Sequence, residues 1–328
     1  MDPIIEVKGL KKDFKQFEAV KEVDFSVEQG EIFGFLGPNG AGKSTTINML
    51  STMLKPTGGE ARINGFDIVK SRNDVRNSIG IIFQETTLDD KLTANENLML
   101  HCKFYGVDPS IREERIREVL HIVDLADKRK QIVETFSGGM KRRLEIARGL
   151  LHYPKVLFLD EPTVGLDPQT RSHIWEYILK LKEKAGITIF LTTHYMDEAE
   201  ICDRIAVMDH GELIALDTPY ELKNKVGGDV VEISTSDNEA AQAKIEQNYE
   251  RNVKNKDNRL TFHVTKGDEF LVQFVREFEV PLHSVNLRRP TLNDVFLHLT
   301  GREIREETAS QKEIMKRNMK MSMRKGRR

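Results

Sequence analysis

The segment Gly37-Pro-Asn-Gly-Ala-Gly-Lys43-Ser44 decides the fold. It fits the pattern G-x-x-x-x-G-K-[ST] and stands between the apolar run Ile32–Leu36 and a helix that we predict over Thr45–Leu54. Its glycines let backbone amides approach phosphate groups, and the N-terminus of the following helix favours their negative charge. The segment therefore predicts a phosphate-binding loop, in which Lys43 would neutralise the β- and γ-phosphates of a nucleotide and Ser44 would offer its hydroxyl to Mg²⁺.

Further short apolar runs follow this loop and alternate with helical patterns. Their glycine-bearing and polar borders are typical of strands that are buried on both faces of a sheet. The strand pattern is absent over residues 88–150, where Ile111–Val123 repeats apolar residues at helical spacing. We therefore predict an α/β domain over residues 1–220 with a helical insertion at about 88–150. The further predicted strands are Ile79–Phe83, Val156–Leu159, Ile187–Thr192 and Ile205–Met208.

A second, smaller domain is predicted over residues 221–301, because the pattern changes near Gly227-Gly228. Alternating and helical stretches are mixed there, which indicates an α+β domain. The sequence Thr291-Leu-Asn-Asp294 predicts the capped start of a last helix. The predicted strands are Val230–Ser234 and Leu260–Val264, and the predicted helices are Asn238–Tyr249 and Glu269–Phe278.

Composition excludes several classes of protein. The 328 residues include 50 Lys plus Arg and 52 Asp plus Glu, a net charge of −2 that argues against a protein that coats nucleic acid. Two cysteines, Cys102 and Cys202, cannot form a disulfide framework and fit a reducing compartment. No apolar run approaches the roughly 20 residues that span a bilayer, and the start of the chain has no signal-peptide core. We expect a cytoplasmic protein that binds no nucleic acid.

Residues 302–328 form a basic tail. Within it, the stretch from Lys312 to Arg328 has eight basic residues and one acidic residue, Glu313. Each lysine or arginine near an anionic lipid surface can contribute about 1 kcal/mol. We therefore expect the tail to hold the protein near the inner membrane surface, and an ordinary solvated terminus is the alternative.

Two acids end the apolar run Val156-Leu-Phe-Leu. The run would place Asp160 beside the phosphate-binding loop, where a carboxylate can hold Mg²⁺ directly or through water. Glu161 follows it and would act on the attacking water, as a general base or as a group that positions the water. Two acids after a strand are more often an exposed turn, but the phosphate-binding loop favours the catalytic interpretation.

A second glycine-containing segment, Phe136-Ser137-Gly138-Gly139-Met140, precedes the helical pattern Lys141–Leu151. A serine and two glycines at the start of a helix offer a second anion site. The alternative is a simple helix cap, and this segment gains meaning because Asp160 and Glu161 follow it by about 20 residues.

The order and spacing of these motifs resemble the ATP-binding subunit of an ABC transporter over about residues 3–220. Gly37–Thr45 resembles the Walker A loop, Phe158–Pro162 the Walker B strand and Ser137–Gly139 the family signature. The resemblance implies a P-loop ATPase cassette with a RecA-like core, a β subdomain and the helical insertion. It also implies that the chain binds ATP and Mg²⁺.

The resemblance gives roles to single residues as well. Gln84 resembles the glutamine of the Q-loop, Asp167 belongs to a segment like the D-loop, and His194 resembles the switch histidine. Phe14 stands where the family places an aromatic ring on adenine, with Phe17 as a competitor. The resemblance thus implies Glu161, His194 and Gln84 in catalysis and Ser44, Gln84 and Asp160 at Mg²⁺. The implied nucleotide-binding residues are Phe14, Gly37, Pro38, Asn39, Gly40, Ala41, Gly42, Lys43, Ser44, Thr45, Ser137, Gly138, Gly139 and Asp167.

Two positions depart from the commoner family pattern, Met140 in place of glutamine and Phe14 in place of tyrosine. Neither removes a group that contacts phosphate. Within the family the chain is most similar to drug-export ATPases of the daunorubicin-resistance type. This similarity rests on Leu88–Asn97, Thr163–Arg171 and Arg289–Phe296.

The implied function is to hydrolyse ATP and drive export through a separate membrane-spanning permease subunit. Because the chain has one set of motifs, the resemblance implies a homodimer or heterodimer of ATP-binding subunits on the inner face of the membrane. The alternatives are a soluble ABC ATPase that acts on ribosomes or DNA and an importer ATPase. The transported substrate does not follow from the sequence.

Overall fold

The structure, a computed structural model, describes residues 3–15, 17–249, 252–256 and 258–301. The basic tail predicted over residues 302–328 lies outside these described residues. In chain order the first half contains β1 (Ile5–Phe14), β2 (Phe17–Val27), β3 (Ile32–Leu36), α1 (Lys43–Leu50), β4 (Gly58–Ile63), β5 (Phe66–Asp67), α2 (Arg72–Ser78), β6 (Ile79–Ile82), α3 (Ala94–Phe104), α4 (Arg112–Ile122) and α5 (Gly138–Gly149). The second half continues with β7 (Val156–Asp160), α6 (Pro168–Ala185), β8 (Thr188–Thr193), α7 (Met196–Ala199), β9 (Arg204–Asp209), β10 (Glu212–Asp217), α8 (Pro219–Asn224), β11 (Asp229–Thr235), α9 (Asn238–Tyr249), β12 (Lys254–Lys256), β13 (Arg259–Val264), α10 (Gly267–Glu277), β14 (Leu282–Arg288) and α11 (Leu292–Thr300).

The central sheet has six strands in the order β10-β9-β3-β8-β7-β6. The five strands from β9 to β6 are parallel, and β10 pairs with β9 in the antiparallel sense. Every residue of β3, β7 and β8 is buried, which confirms the prediction from their continuous apolar runs. Because the carboxyl ends of parallel strands meet at one edge of a sheet, the segments that follow β3, β6, β7 and β8 lie close together.

A second, antiparallel sheet has the order β2-β1-β4-β5. It supplies Phe25 to an aromatic cluster with Phe33, Phe35 and Phe190 of the central sheet, with ring centroids 5.0–6.0 Å apart. None of these strands was predicted at its position from the sequence. The pairing of β1 with β2 shifts register three times, so the buried positions do not alternate regularly.

Helices α3, α4 and α5 form the predicted insertion between β6 and β7. Thr93 and Glu96 close a capping box at the start of α3. Two helices differ from their predicted bounds by more than two residues. Helix α1 covers Lys43–Leu50 rather than Thr45–Leu54, and it ends early because Thr52 has a φ of 66° that an α-helix cannot include. Helix α5 starts at Gly138, so the two glycines after Ser137 form its first turn instead of preceding it.

The C-terminal part contains a third, antiparallel sheet in the order β12-β13-β11-β14. Its apolar face packs on α9 and α10 around Val231, Phe262 and Phe274. The predicted capping box of Thr291 and Asp294 is confirmed at the start of α11. Helix α11 packs on α8, and its apolar side chains join the core that lies under the central sheet. The division at residue 220 stays a prediction.

Within the described ranges, no helix is long and apolar enough to cross a membrane.

Candidate functional site

A cavity of about 420 Å³ opens at the edge where the parallel strands end. Its lining residues come from the loop between β3 and α1, the start of α1, the strands β1 and β2 near their turn, and the segments after β6 and β7. The cavity therefore brings together half of the fourteen residues predicted to bind a nucleotide, together with Gln84 and Glu161. It is lined by Phe14, Phe17, Ala19, Asn39, Gly40, Gly42, Lys43, Ser44, Thr45, Gln84 and Glu161.

The loop over residues 37–42 needs its glycines for two reasons. Gly40 and Gly42 have φ of 82° and 109°, which other residues rarely adopt. A Cβ on Gly37 would lie 2.2 Å from the backbone oxygen of Met208. Three loop residues, Gly37, Pro38 and Ala41, do not line the cavity. Pro38 accepts a hydrogen bond from the amide of Ala41 at 3.2 Å, and Ala41 is buried. They shape the loop around the cavity.

Lys43 is the first residue of α1, and only 4% of its surface is exposed. Its Nζ donates to the carbonyl oxygens of Gly37 at 2.8 Å and Pro38 at 3.1 Å. The same atom lies 3.7 Å from Glu161 Oε1. Burial lowers the pKa of Lys43, and the carboxylates of Glu161 and Asp160 oppose this shift. The loop thus holds a buried cation at the position predicted for the β- and γ-phosphates.

Oxygen ligands that suit Mg²⁺ meet next to Lys43. The Ser44 hydroxyl donates to Asp160 Oδ1 at 3.0 Å, and the Thr192 hydroxyl donates to the same oxygen at 2.6 Å. Gln84 lines the cavity that Ser44 lines. Hydroxyl, carboxylate and amide oxygens are hard donors, so Ser44, Gln84 and Asp160 fit Mg²⁺ in type and proximity.

Glu161 follows β7 in a conformation that is unusual for a residue with a side chain. Its φ is 46°, and its amide donates to both the backbone and the hydroxyl oxygen of Thr192 at 3.1 Å. Left-handed backbone at a non-glycine residue costs on the order of 1–3 kcal/mol and is typical of functional sites. His194 Nδ1 lies 3.3 Å from Glu161 Oε1. The structure thus pairs the predicted base with the predicted switch histidine.

The signature and the D-loop lie apart from this cavity. The Ser137 hydroxyl accepts from the amide of Met140 at 3.3 Å and caps α5. Asp167 caps α6 by accepting from the amide of Thr170 at 3.0 Å. Ser137 and Gly139 line a separate hollow, which Thr170 also lines. Within a single chain, the structure therefore does not bring residues 137–139 and Asp167 to the nucleotide cavity.

Both candidate aromatic residues lie at the mouth of the cavity. Phe14 and Phe17 pair across the β1–β2 turn, and 45% and 63% of their surfaces are exposed. The ammonium of Lys12 lies 5.1 Å from the centre of the Phe14 ring. Because both rings line the cavity, the assignment of the adenine platform to Phe14 stays a prediction.

Two groups of residues next to this site were not predicted from the sequence. Thr192 was placed in a strand, but not as a partner of Asp160. On α5 the buried Arg142 donates from Nε to Pro162 O at 2.6 Å and from Nη1 to Phe83 O at 2.5 Å, and it pairs with Glu145 at 3.0 Å. Burial lowers the pKa of Arg142, against the opposing effect of Glu145. The sequence offered one indication, because Arg142, Glu145 and Arg148 are three residues apart and so share one face of α5.

Comparisons with known proteins agree with this geometry. A family model described as ABC transporter matches residues 20–164, and one described as ATP-binding protein DrrA1-3-like, C-terminal domain, matches residues 218–300. The linearmycin resistance ATP-binding protein LnrL of Bacillus subtilis is 39% identical over 312 residues, which cover 92% of this chain and 100% of the relative. The daunorubicin/doxorubicin resistance ATP-binding protein DrrA of Streptomyces peucetius is 40% identical over 306 residues, with 90% and 92% coverage.

A solved dimeric ATP-binding cassette in a post-hydrolysis state, bound to ADP and Pi, is also similar to this chain. Its TM-score is 0.59 at 30% identity, and the match covers 65% of this chain and 98% of that one. The predicted fold class, a P-loop cassette followed by a small α+β domain, is confirmed.

Proposed function

The chain belongs to the family of ABC transporter ATP-binding proteins, and from this premise we propose that it powers export of a drug-like or other small molecule through a separate membrane-spanning subunit. One observation carries the proposal: Lys43, Ser44 and Glu161 line a single cavity. Ser44 is hydrogen-bonded to Asp160, and Glu161 lies next to His194. The relatives that match along most of the chain are named as resistance ATP-binding proteins. That naming supports export of a drug-like molecule.

In this proposal each residue at the cavity has a separate role in ATP binding or hydrolysis. The loop amides and Lys43 bind the triphosphate, and Phe14 or Phe17 stacks on adenine. Glu161 accepts a proton from the attacking water, while His194 holds the Glu161 carboxylate and orients that water toward the γ-phosphate. Mg²⁺, when bound, neutralises charge on the β- and γ-phosphate oxygens, and Ser44, Gln84 and Asp160 would hold it.

The position of the signature supports a site shared between two subunits. Ser137 and the first turn of α5 present a helix N-terminus, which favours an anion, but they lie outside the cavity of their own chain. We therefore propose that two copies, or this chain and a related subunit, pair so that residues 137–139 of one cover the ATP of the other. The solved cassette bound to ADP and Pi is itself dimeric.

The helical insertion carries an exposed apolar surface that supports a membrane-spanning partner. Phe104, at the end of α3, is 71% exposed, and Leu100 is 40% exposed one turn before it. Tyr105 continues this surface after the end of α3. Exposed apolar groups that cluster in this way are typical of interaction sites. We propose that they contact the permease subunit, which would hold the protein on the inner face of the membrane.

Isolation of the tagged chain from detergent-solubilised membranes tests this proposal. We expect a multispanning membrane protein to be isolated with it and to raise its rate of ATP hydrolysis. Phe104→Glu should weaken that association but leave ATP hydrolysis by the purified chain intact, because Phe104 lies away from the cavity. Isolation with ribosomes, DNA or a solute-binding protein instead would contradict the proposal and favour one of the alternatives.

A further inference from the structure

We propose that Glu198 is a positioning residue for ATP hydrolysis, because it joins the segment that carries Glu161 to the segment that carries His194. Glu198 lies on α7, and only 1% of its surface is exposed. The inference rests on the proposed roles of Glu161 and His194. Glu198 does not line the cavity, so it acts through other residues.

The two carboxylate oxygens of Glu198 hold two different segments. Oε1 accepts a hydrogen bond from the hydroxyl of Thr163, two residues after Glu161. Oε2 accepts from the hydroxyl of Thr193 at 2.6 Å, directly before His194. Both threonines are buried. A single carboxylate therefore fixes the distance between the two chain segments that meet at the Glu161–His194 contact.

Thr193 also accepts hydrogen bonds from two further segments. Its hydroxyl oxygen accepts from the amide of Tyr195 at 2.9 Å, which shapes the turn around His194. Its carbonyl oxygen accepts from the amide of Gly37, the first residue of the phosphate-binding loop, at 3.3 Å. The segment of Glu161, the segment of His194 and the phosphate-binding loop are thus connected through the buried hydrogen bonds of Glu198 and Thr193.

The electrostatics of Glu198 favour this role over simple stabilisation. Within the described part of the chain, the partners of the Glu198 carboxylate are the hydroxyl groups of Thr163 and Thr193 rather than a cation. A buried carboxylate held in this way contributes little net stability compared with an apolar side chain of similar size. Its effect on geometry is larger, because a displacement of about 1 Å at a reacting group can cost on the order of 100-fold in rate.

The contact between His194 and Glu161 tolerates only a small displacement. His194 Nδ1 and Glu161 Oε1 are 3.3 Å apart, near the upper limit for a hydrogen bond. If the Thr163 or Thr193 segment moves, this contact opens, while the loop and Lys43 still bind phosphate. The expected signature is therefore a lower kcat with little change in ATP affinity.

The test compares kcat and the Kd for ATP in four variants of the full chain. Glu198→Ala should lower kcat about 10- to 100-fold while the Kd for ATP changes less than about 3-fold. Glu198→Gln should recover most of the rate, because its amide can still bond both hydroxyls. Thr163→Val keeps the side-chain shape and removes only the hydroxyl, so it should lower kcat even if Glu198→Ala fails to fold.

Thr188→Val is the matched control. Thr188 is equally buried at the opposite end of β8, and its hydroxyl accepts from the amide of Gly30 at 2.9 Å. Its kcat should stay near that of the wild type. If Thr163→Val keeps a wild-type kcat, or falls no further than Thr188→Val, Glu198 is not a positioning residue. If Glu161→Gln also keeps wild-type turnover, the proposed roles at the cavity fail instead, so the two failures are distinguishable.

Discussion

Replacement of Lys43 by alanine should reduce ATP affinity much more than it reduces stability. Lys43 is nearly fully buried and donates to two backbone oxygens of the phosphate-binding loop. A hydrogen bond to a charged group is worth about 1.5–3 kcal/mol, and about 1.4 kcal/mol corresponds to a factor of ten. Loss of the ammonium opposite a phosphate should therefore raise the Kd for ATP roughly 10- to 150-fold.

The expected effect on the free energy of unfolding is small. Burial lowers the pKa of Lys43, so the folded protein without nucleotide holds this cation at an electrostatic cost. Alanine removes that cost along with the hydrogen bonds to Gly37 and Pro38 and the 3.7 Å contact with Glu161, so the gain and the losses oppose each other. The variant should remain folded with a nearly unchanged unfolding midpoint.

Titration calorimetry with Mg²⁺ and a non-hydrolysable ATP analogue measures this effect. Lys21→Ala is the control, because the ammonium of Lys21 forms an exposed ion pair with Glu212 at 2.9 Å, and such pairs are worth about 0–1 kcal/mol. The control should bind the analogue as the wild type does. A Lys43→Ala variant that is folded and binds within about 3-fold of the control would refute the assignment of the phosphate site.

Three further predictions concern the signature, the mouth of the cavity and the C-terminal sheet. A Cβ on Gly139 would lie 2.4 Å from Thr170 Cγ2, so Gly139→Ala should slow ATP hydrolysis without weakening ATP binding, and Thr170→Ser, which removes that methyl group, should restore the rate of the double variant. Either Phe14→Ala or Phe17→Ala should weaken ATP binding by about 1–3 kcal/mol in the same calorimetric assay, because one of the two rings stacks on adenine. Wild-type affinity in both variants would exclude stacking at this turn. Burial alone would raise the pKa of Asp294, but hydrogen bonds from the β14 arginine and from the capping threonine lower it to about 2. Because this pKa lies below the ordinary value, the ionised Asp294 stabilises the fold above about pH 4, and this stabilisation is lost as the pH falls toward 2. The free energy of unfolding measured in urea should therefore fall by about 1–2 kcal/mol over that interval in the wild type and by less in Asp294→Asn.

The sequence predicted best where one local pattern determined the structure. The buried parallel strands are continuous apolar runs, and helix α9 has the predicted bounds Asn238–Tyr249. The capping box at Thr291 is a four-residue motif and was found as such. The site residues directly follow predicted parallel strands, so the sequence also predicted that they lie at the same edge of the sheet.

Features that depend on tertiary contacts were missed. The register shifts between β1 and β2 erase the alternation on which strand prediction relies. Charged residues within a helix suggest a solvent-facing surface, yet Arg142 and Glu145 are buried against the ends of β6 and β7. Glu198 was missed for the same reason. The roles predicted for the site residues stay predictions.

The most direct test of this account is steady-state ATP hydrolysis by the wild type and by Glu161→Gln, with ATP binding measured on the same preparations. The glutamine keeps the shape of the side chain but cannot accept the proton of the attacking water. We predict a Kd for ATP within a few-fold of the wild type, a rate lower by about 10²–10⁴ and a dimer that persists with ATP on a sizing column. Turnover within a few-fold of the wild type would contradict the central claim that Glu161, held beside His194 and Lys43, is the base that drives hydrolysis.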